Sequence, residues 1–334
     1  MKIMTVIGTR PQYIKIKPWY DYCKQNNVNN IVVDTQQHYT PNVSKNFIDE
    51  FKLNIDYKLD VPNISPVNFI SEAMNKIEKI ISKESPDFVL VMGDTNSTLA
   101  ASLTSNKLGV KLGHIEAGIR GGYRNQPEEI NRILVDDLSD FHFLSREKDG
   151  INVDNPFYIG DLKYLLLNQL ENNRMFNIEY QDWFLMTIHR QENMDLYKLN
   201  LLFDFCKDLK KTIIFPMHHS IRAIIGRFSI PMPVNIRVVE PMNFGDMIKH
   251  LCKCKGIITD SGGVTKISPY FGKKCILPTT SVEWKEIIEN GYGTTELDLE
   301  WLNNYSIKRD RDFYYKKDCC QIIWETLSGI FKLK

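Results

Sequence analysis

Carboxylates, histidines and arginines in this chain gather where short apolar runs end, and that placement points to chemistry before any fold is known. VMGDTN (91–96) and KLGHIEAG (111–118) each lead from an apolar stretch to a carboxylate, Asp94 and Glu116. Strands of one sheet lie roughly 4.8 Å apart, so carboxylates at two neighbouring strand ends share a crevice and can exchange a proton with one substrate. Plainer uses stay open: Asp94 and Ser97 are also good caps for a following helix. Glu128 and Glu129 begin another helical pattern, with Arg132 four residues after Glu128. That spacing suits an intrahelical ion pair as well as a site cation.

Anion-binding groups form a second set. Gly8-Thr9-Arg10-Pro11-Gln12 follows the first apolar run. There Gly8 permits a tight turn, Arg10 offers a fork of donors, and Pro11 can start the helix that carries Lys15. Asp260-Ser261-Gly262-Gly263 runs from an apolar strand into a helix, so free backbone N–H groups and Ser261 can receive a diphosphate. His189-Arg190 and His218-His219 also stand at strand ends, where imidazole can exchange a proton near neutrality or serve structure alone. The spacings of G-x-G-x-x-G, GK[ST] and HExxH are absent, which removes the dinucleotide fingerprint, the P-loop and a zinc-protease site. No metal and no cofactor are expected.

Such residues need a frame that brings strand ends together. In the first half, strands are expected at 4–8, 30–35, 88–93, 110–116 and 140–145, and helices at 14–26, 66–84, 96–107 and 128–138. A polar, asparagine-rich stretch (167–182) then reads as a domain connection. Beyond it come strands at 183–189, 211–218, 236–240, 256–260 and 273–279, with helices at 195–209, 244–253, 264–271 and 283–290. Continuous apolar strands separated by amphipathic helices are what a parallel sheet covered on both faces requires. The expected fold class is therefore α/β, with two Rossmann-like domains facing across a cleft, residues 1–168 and 169–314, and a last helix within 315–334.

Size and charge agree with that frame. The length of 334 residues is natural for two cores, and 42 basic against 41 acidic side chains leave a net charge of +1. No global field draws the chain to nucleic acid or to an acidic membrane, and no apolar run has the length of a membrane span. Seven scattered cysteines argue against a disulfide scaffold and fit a reducing, cytoplasmic setting. Cys252-Lys253-Cys254 is expected to be packing.

Taken in order, GTRPQYIKIKP (8–18), QHY (37–39), GDTNSTLAASL (93–103), GHIEAGIR (113–120), PEEINR (127–132), YIGD (158–161), IHRQEN (188–193), TDSGG (259–263) and EWKEIIENG (283–291) span nearly the whole chain. Through them it resembles the non-hydrolysing UDP-N-acetylglucosamine 2-epimerase family. The resemblance implies a GT-B-like fold whose C-terminal helix returns to the first domain, and usually a homodimer. It implies Asp94, Glu116, Glu128 and His189 as catalytic residues, the three carboxylates as acid and base and the histidine near the diphosphate. Arg10, Lys15, Gln37, His38, Arg132, His218, Ser261, Gly262 and Gly263 are implied as substrate or nucleotide contacts. The implied ligands are a UDP-linked N-acetylhexosamine and UDP. The implied reaction removes the C2 proton, eliminates UDP across C1 and C2, and re-adds it with the proton delivered to the opposite face. Other outcomes on this architecture are hydrolysis to UDP and free sugar, glycosyl transfer, or an inactive sugar-nucleotide-binding subunit.

Two departures concern the nucleotide. After SGG, Thr265 and Ile267 stand where the family has Gln and Glu, the Glu receiving the ribose hydroxyls. Isoleucine cannot accept a hydrogen bond, a loss of about 2 kcal/mol unless another group replaces it. By this reading Ile267→Glu strengthens UDP binding. LPTTSVEW (277–284) also lacks the family's arginine before Thr-Glu-Trp.

Overall fold

The computed structural model describes residues 1–37, 47–62, 64–121, 124, 126–190, 193–279, 282–304 and 307–332. The chain divides into two compact units, Met1–Gln169 with Tyr314–Lys334, and Leu170–Phe313.

In the first unit, β1 (Lys2–Ile7), β2 (Asn29–Asp34), β3 (Tyr57–Lys58), β4 (Phe88–Met92), β5 (Lys111–Ile115), β6 (Phe141–Leu144) and β7 (Pro156–Tyr158) form one parallel sheet in the order β3-β2-β1-β4-β5-β6-β7. The apolar runs become strands because helices cover both faces, which leaves every residue of β4 buried. Those helices are α1 (Arg10–Gln25), α2 (Pro66–Glu84), α3 (Asn96–Lys107), α4 (Pro127–Leu138) and α5 (Leu162–Asn172). α3 is packed on nearly all sides despite its polar sequence. Ser102, Thr104 and Ser105 donate to carbonyls four residues back at 2.7–2.8 Å, so their buried hydroxyls stay satisfied.

The second unit repeats the plan with β8 (Phe184–Thr187), β9 (Ile213–Pro216), β10 (Ile236–Val239), β11 (Gly256–Thr259), β12 (Lys274–Ile276) and β13 (Gly293–Thr294), in the order β10-β9-β8-β11-β12-β13. Its helices are α6 (Leu196–Asp208), α7 (His219–Phe228), α8 (Phe244–Lys253), α9 (Gly262–Phe271), α10 (Lys285–Glu289) and α11 (Leu299–Asn303). Last comes α12 (Cys319–Lys332), which belongs to the first unit. Cys319, Ile323 and Leu327 give it a buried stripe at helical spacing, and Leu327 lies 3.9 Å from where a side chain on Gly113 would begin.

Three local outcomes differ from the sequence expectation. α1 begins at Arg10 rather than 14, because Pro11 tolerates a first-turn position. The polar stretch at 167–182 is not all loop: α5 runs through Asn172, and the unit boundary falls inside it. Glu171 of that helix accepts from both terminal nitrogens of Arg309, on the returning segment, and from Tyr270 Oη at 2.6 Å. α7 was not foreseen, nor were the two- and three-residue edge strands. All seven cysteines are free and buried, and burial pushes the Cys206 and Cys254 thiols up to about 12.

Candidate functional site

Open parallel sheets bind ligands beyond the carboxyl ends of their strands, at the point where strand order reverses. In the first unit that point lies between β1 and β4, and in the second between β8 and β11. Of the residues selected from the sequence, Arg10 and Asp94 follow β1 and β4, and His189 and Ser261 follow β8 and β11.

In the first unit, Gly8 follows β1 with no left-handed backbone. A Cβ there would lie 2.0 Å from Thr35 Oγ1 and 2.3 Å from Ser97 Oγ, so close approach, not a tight turn, excludes a side chain. Gln12, a residue the sequence reading did not single out, fixes this turn. Its Oε1 accepts from the N–H groups of Gly8 and Thr9 at 2.9 and 3.0 Å. Its Nε2 donates to Met92 O and Thr98 Oγ1 at 2.8 and 3.0 Å, tying the end of β1 to that of β4. Arg10 occupies the first position of α1, where its cation opposes the positive end of the helix dipole, an arrangement that a bound anion relieves.

Lys15, one turn further along α1, pairs with Glu116, and both side chains are nearly buried. Glu116 follows β5 with φ of +67°, a left-handed backbone that costs a non-glycine residue roughly 1–2 kcal/mol and aims its carboxylate at Gly93. Asp94, beyond the adjacent β4, pairs with Arg132 Nη2. Thr95 caps α3 and Gln37 Oε1 accepts from Ser97 N at 3.0 Å, so neither Asp94 nor Ser97 acts as the helix cap. Arg132 Nη1 holds Glu129 Oε2 at 2.5 Å, and Glu129 also accepts from Gly121 N at 3.0 Å. Glu129 is therefore the buried structural member of its pair, while Glu128 is exposed and makes no ion pair with Arg132. His38 lies outside the described residues.

Behind these carboxylates sits a second network with no sequence signal beyond a histidine in a strand. His114, wholly buried in β5, meets Asp136 Oδ1 at 2.7 Å through Nδ1 and Gly93 O at 2.8 Å through Nε2. Both partners present acceptor oxygens to the ring. Asp136 also accepts from Gly118 N and from Arg120. Burial pushes the Asp136 carboxyl up, but His114 and Arg120 outweigh it and leave it below the usual range. The backbone at Gly93 and at the Glu116–Gly118 turn is thus held to one anchor.

In the second unit, Asp260 follows β11 and gathers the end of β8. It accepts from the N–H groups of His189 and Arg190 and from Asn193 Nδ2 at 2.9–3.0 Å. Its Oδ1 lies 3.0 Å from His189 Nδ1, which orients the ring with Nε2 outward on a half-exposed side chain. Burial again pushes the Asp260 carboxyl up and the facing donors, His189 first, hold it below its ordinary value. Ser261 is the N-cap of α9, its Oγ accepting from Val264 N at 3.4 Å. His218 caps α7 and meets Ser220 Oγ at 2.7 Å. Arg190, Gly262, Thr265, Glu283 and Trp284 line a small, open pocket beside the Asp260–Ser261 turn. Thr265 donates to Ser261 O, whereas Ile267 is 3% exposed and does not line that pocket. Among the described residues no cluster of three His, Cys, Asp or Glu could hold a metal ion, and no helix is long and apolar enough to cross a membrane.

Two successive Rossmann-like units, each with polar turns at its switch point, and a last helix assigned to the first unit define a GT-B-like α/β enzyme. Residues 21–295 match the UDP-N-acetylglucosamine 2-epimerase family, and the chain belongs to that family, whose members are isomerases. It is 35% identical to a UDP-N-acetylglucosamine 2-epimerase homolog of Methanococcus maripaludis, with 87% of each chain covered. It is 34% identical, at the same coverage, to the UDP-2,3-diacetamido-2,3-dideoxy-D-glucuronate 2-epimerase of Pseudomonas aeruginosa. The crystal structure of the Methanocaldococcus jannaschii UDP-GlcNAc 2-epimerase, in complex with UDP-GlcNAc and UDP, superimposes with a TM-score of 0.86 at 28% identity, covering 98% of this chain and 100% of that one.

Proposed function

We propose that this chain inverts C2 of UDP-N-acetylglucosamine, or of a closely related UDP-N-acetyl sugar, without net hydrolysis. The observation that carries the reading is the pair of carboxylates at the ends of adjacent strands β4 and β5, each with its own cation, Asp94 with Arg132 and Glu116 with Lys15.

One carboxylate removes the C2 proton. The C–H electron pair becomes the C1–C2 double bond, and the C1–O bond breaks with its electrons leaving on UDP. Return of a UDP oxygen to C1, with a proton delivered to the other face of C2, completes inversion, so two groups are required. Asp94, Glu116 and the exposed Glu128 supply them. A C2 hydrogen is weakly acidic, and its removal therefore depends on stabilising charge on the departing diphosphate. The α9 N-terminus at Ser261–Gly263 and His189, in the second unit, serve that charge. Arg10 and Lys15 are the cations that the first unit itself offers to an anionic ligand.

Substrate held in deuterated water with the enzyme acquires deuterium at C2 and yields the C2 epimer, followed by NMR. Asp94→Asn or Glu116→Gln lowers the exchange by at least about a hundredfold. A panel of UDP-linked N-acetyl sugars that shows neither exchange nor UDP release sinks the elimination mechanism, and accumulation of UDP with free sugar sinks the non-hydrolysing outcome.

A further inference from the structure

Gly93 joins β4 to Asp94, and its two backbone polar groups go to different kinds of partner. Its N–H donates to Ile115 O at 2.9 Å and closes the ladder between β4 and β5. Its φ of +71° leaves the strand conformation, and the carbonyl of this buried residue needs a donor from elsewhere. His114 Nε2 supplies it at 2.8 Å. His114 stands on β5 two residues before Glu116, so its ring ties the residue preceding one proposed carboxylate to the strand that ends at the other. Its Nδ1 is held by Asp136 Oδ1 at 2.7 Å, and the second oxygen of Asp136 accepts at 3.1 Å from Gly118 N, just beyond Glu116. On the other side of Asp94, its carbonyl accepts from Asn131 Nδ2 at 3.0 Å.

We infer that His114 is a positioning residue that sets the separation of the Asp94 and Glu116 carboxylates, with Asp136 orienting its ring, a step that rests on those carboxylates' exchanging protons at C2. His114 is wholly buried and both ring nitrogens face protein oxygens, so it acts through the backbone it holds and not on substrate. The strand ladder does not fix the separation by itself. It closes at Gly93 N, one residue before Asp94, and Glu116 N has already turned to Phe143 O on β6, at 3.0 Å. Inversion needs two groups on opposite faces of one carbon, and a misplacement of about 1 Å costs on the order of a hundredfold in rate.

Steady-state epimerisation by His114→Asn and His114→Gln tests the assignment, with UDP-binding sites counted by calorimetry and a melting curve for each variant. The Asn amide falls near the place of Nδ1 and the Gln amide near that of Nε2, so Asn gives up the bond to Gly93 O and Gln keeps it. Per UDP-binding site, His114→Asn lowers kcat by about 10- to 100-fold while KM and the UDP Kd stay within about threefold. His114→Gln melts below the wild type as well, yet keeps kcat within about fivefold of it. A merely structural role slows both variants in step with their melting temperatures, and equal losses of kcat in the two therefore overturn the inference. Wild-type kcat in a folded His114→Asn overturns it too. Should that variant not fold, a folded His114→Gln with kcat below about a tenth of the wild type does the same. A wild type that neither exchanges hydrogen at C2 nor releases UDP instead overturns the proposed function on which the inference rests.

Discussion

Arg132 reaches from α4 to the carboxylate of Asp94 beyond β4, and its other amino nitrogen holds Glu129. One nearly buried cation thus positions a proposed acid or base and secures the start of its own helix. Arg132→Met leaves two carboxylates without their countercharge, which costs about 3–5 kcal/mol where such pairs are buried and less at Asp94, whose side chain is 27% exposed. A melting curve should shift downward by several degrees, and C2 exchange should fall together with it. Arg132→Lys retains charge without the fork, so it restores more of the melting temperature than of the exchange rate.

The two adjacent glutamates of α4 separate by the same geometry. Glu129→Gln removes a partner from Arg132 and weakens the bond to Gly121 N, and its principal effect is on thermal stability. Glu128→Gln touches no recorded ion pair, so its melting temperature stays within about a degree while exchange at C2 drops by at least about tenfold. Equal effects of the two substitutions on melting would contradict this division of labour.

Asp136 and Asp260 both hold their protons less tightly than an ordinary carboxylate because His114 with Arg120, and His189 with its neighbours, face them. A depressed folded-state pKa contributes stability that is fully present above the unfolded value, near 4, and is lost as pH falls through the folded value. Urea unfolding measured from pH 7 to pH 3 should therefore show declining stability below about pH 4. Asp136→Asn lowers stability at neutral pH, since it removes the charge facing Arg120 and turns one of two occupied acceptor oxygens into a donor, and also flattens the acid limb. An unchanged acid slope in that variant would place the pH dependence elsewhere.

Much of this frame was legible in the sequence. β4 and β11 read correctly because a strand covered on both faces must be continuously apolar, and glycine and carboxylate residues mark where each run stops. The short edge strands β3, β7 and β13 carry too few residues to show any period. The expected connection at 167–182 does contain the boundary between the units, but its first residues are helical because α5 buries Leu165, Leu166 and Leu167 just before the polar run and continues to Asn172. Within the site, residue types at strand ends were readable but pairings were not. That Gln12 clamps two strands depends on a contact with Met92, 80 residues away, and the orientation of Arg132 on its pairing with Asp94, 38 residues away. Local spacing does not encode them.

Ile267 brings the sharpest reversal between sequence and structure. On sequence alone, Ile267→Glu should recover a ribose contact. The side chain is 3% exposed and lies outside the lining of the pocket beside α9, so a carboxylate there is buried away from water. Burying an unpaired charge costs several kcal/mol, more than the gain from one hydrogen bond to a ligand. Ile267→Glu should lower the melting temperature by about 5 °C or more and leave UDP affinity unchanged or weaker. Ile267→Val, which keeps the apolar surface, should cost only about 1 kcal/mol and spare binding. Tighter UDP binding by the glutamate variant at an undiminished melting temperature would show that α9 turns this position toward the nucleotide.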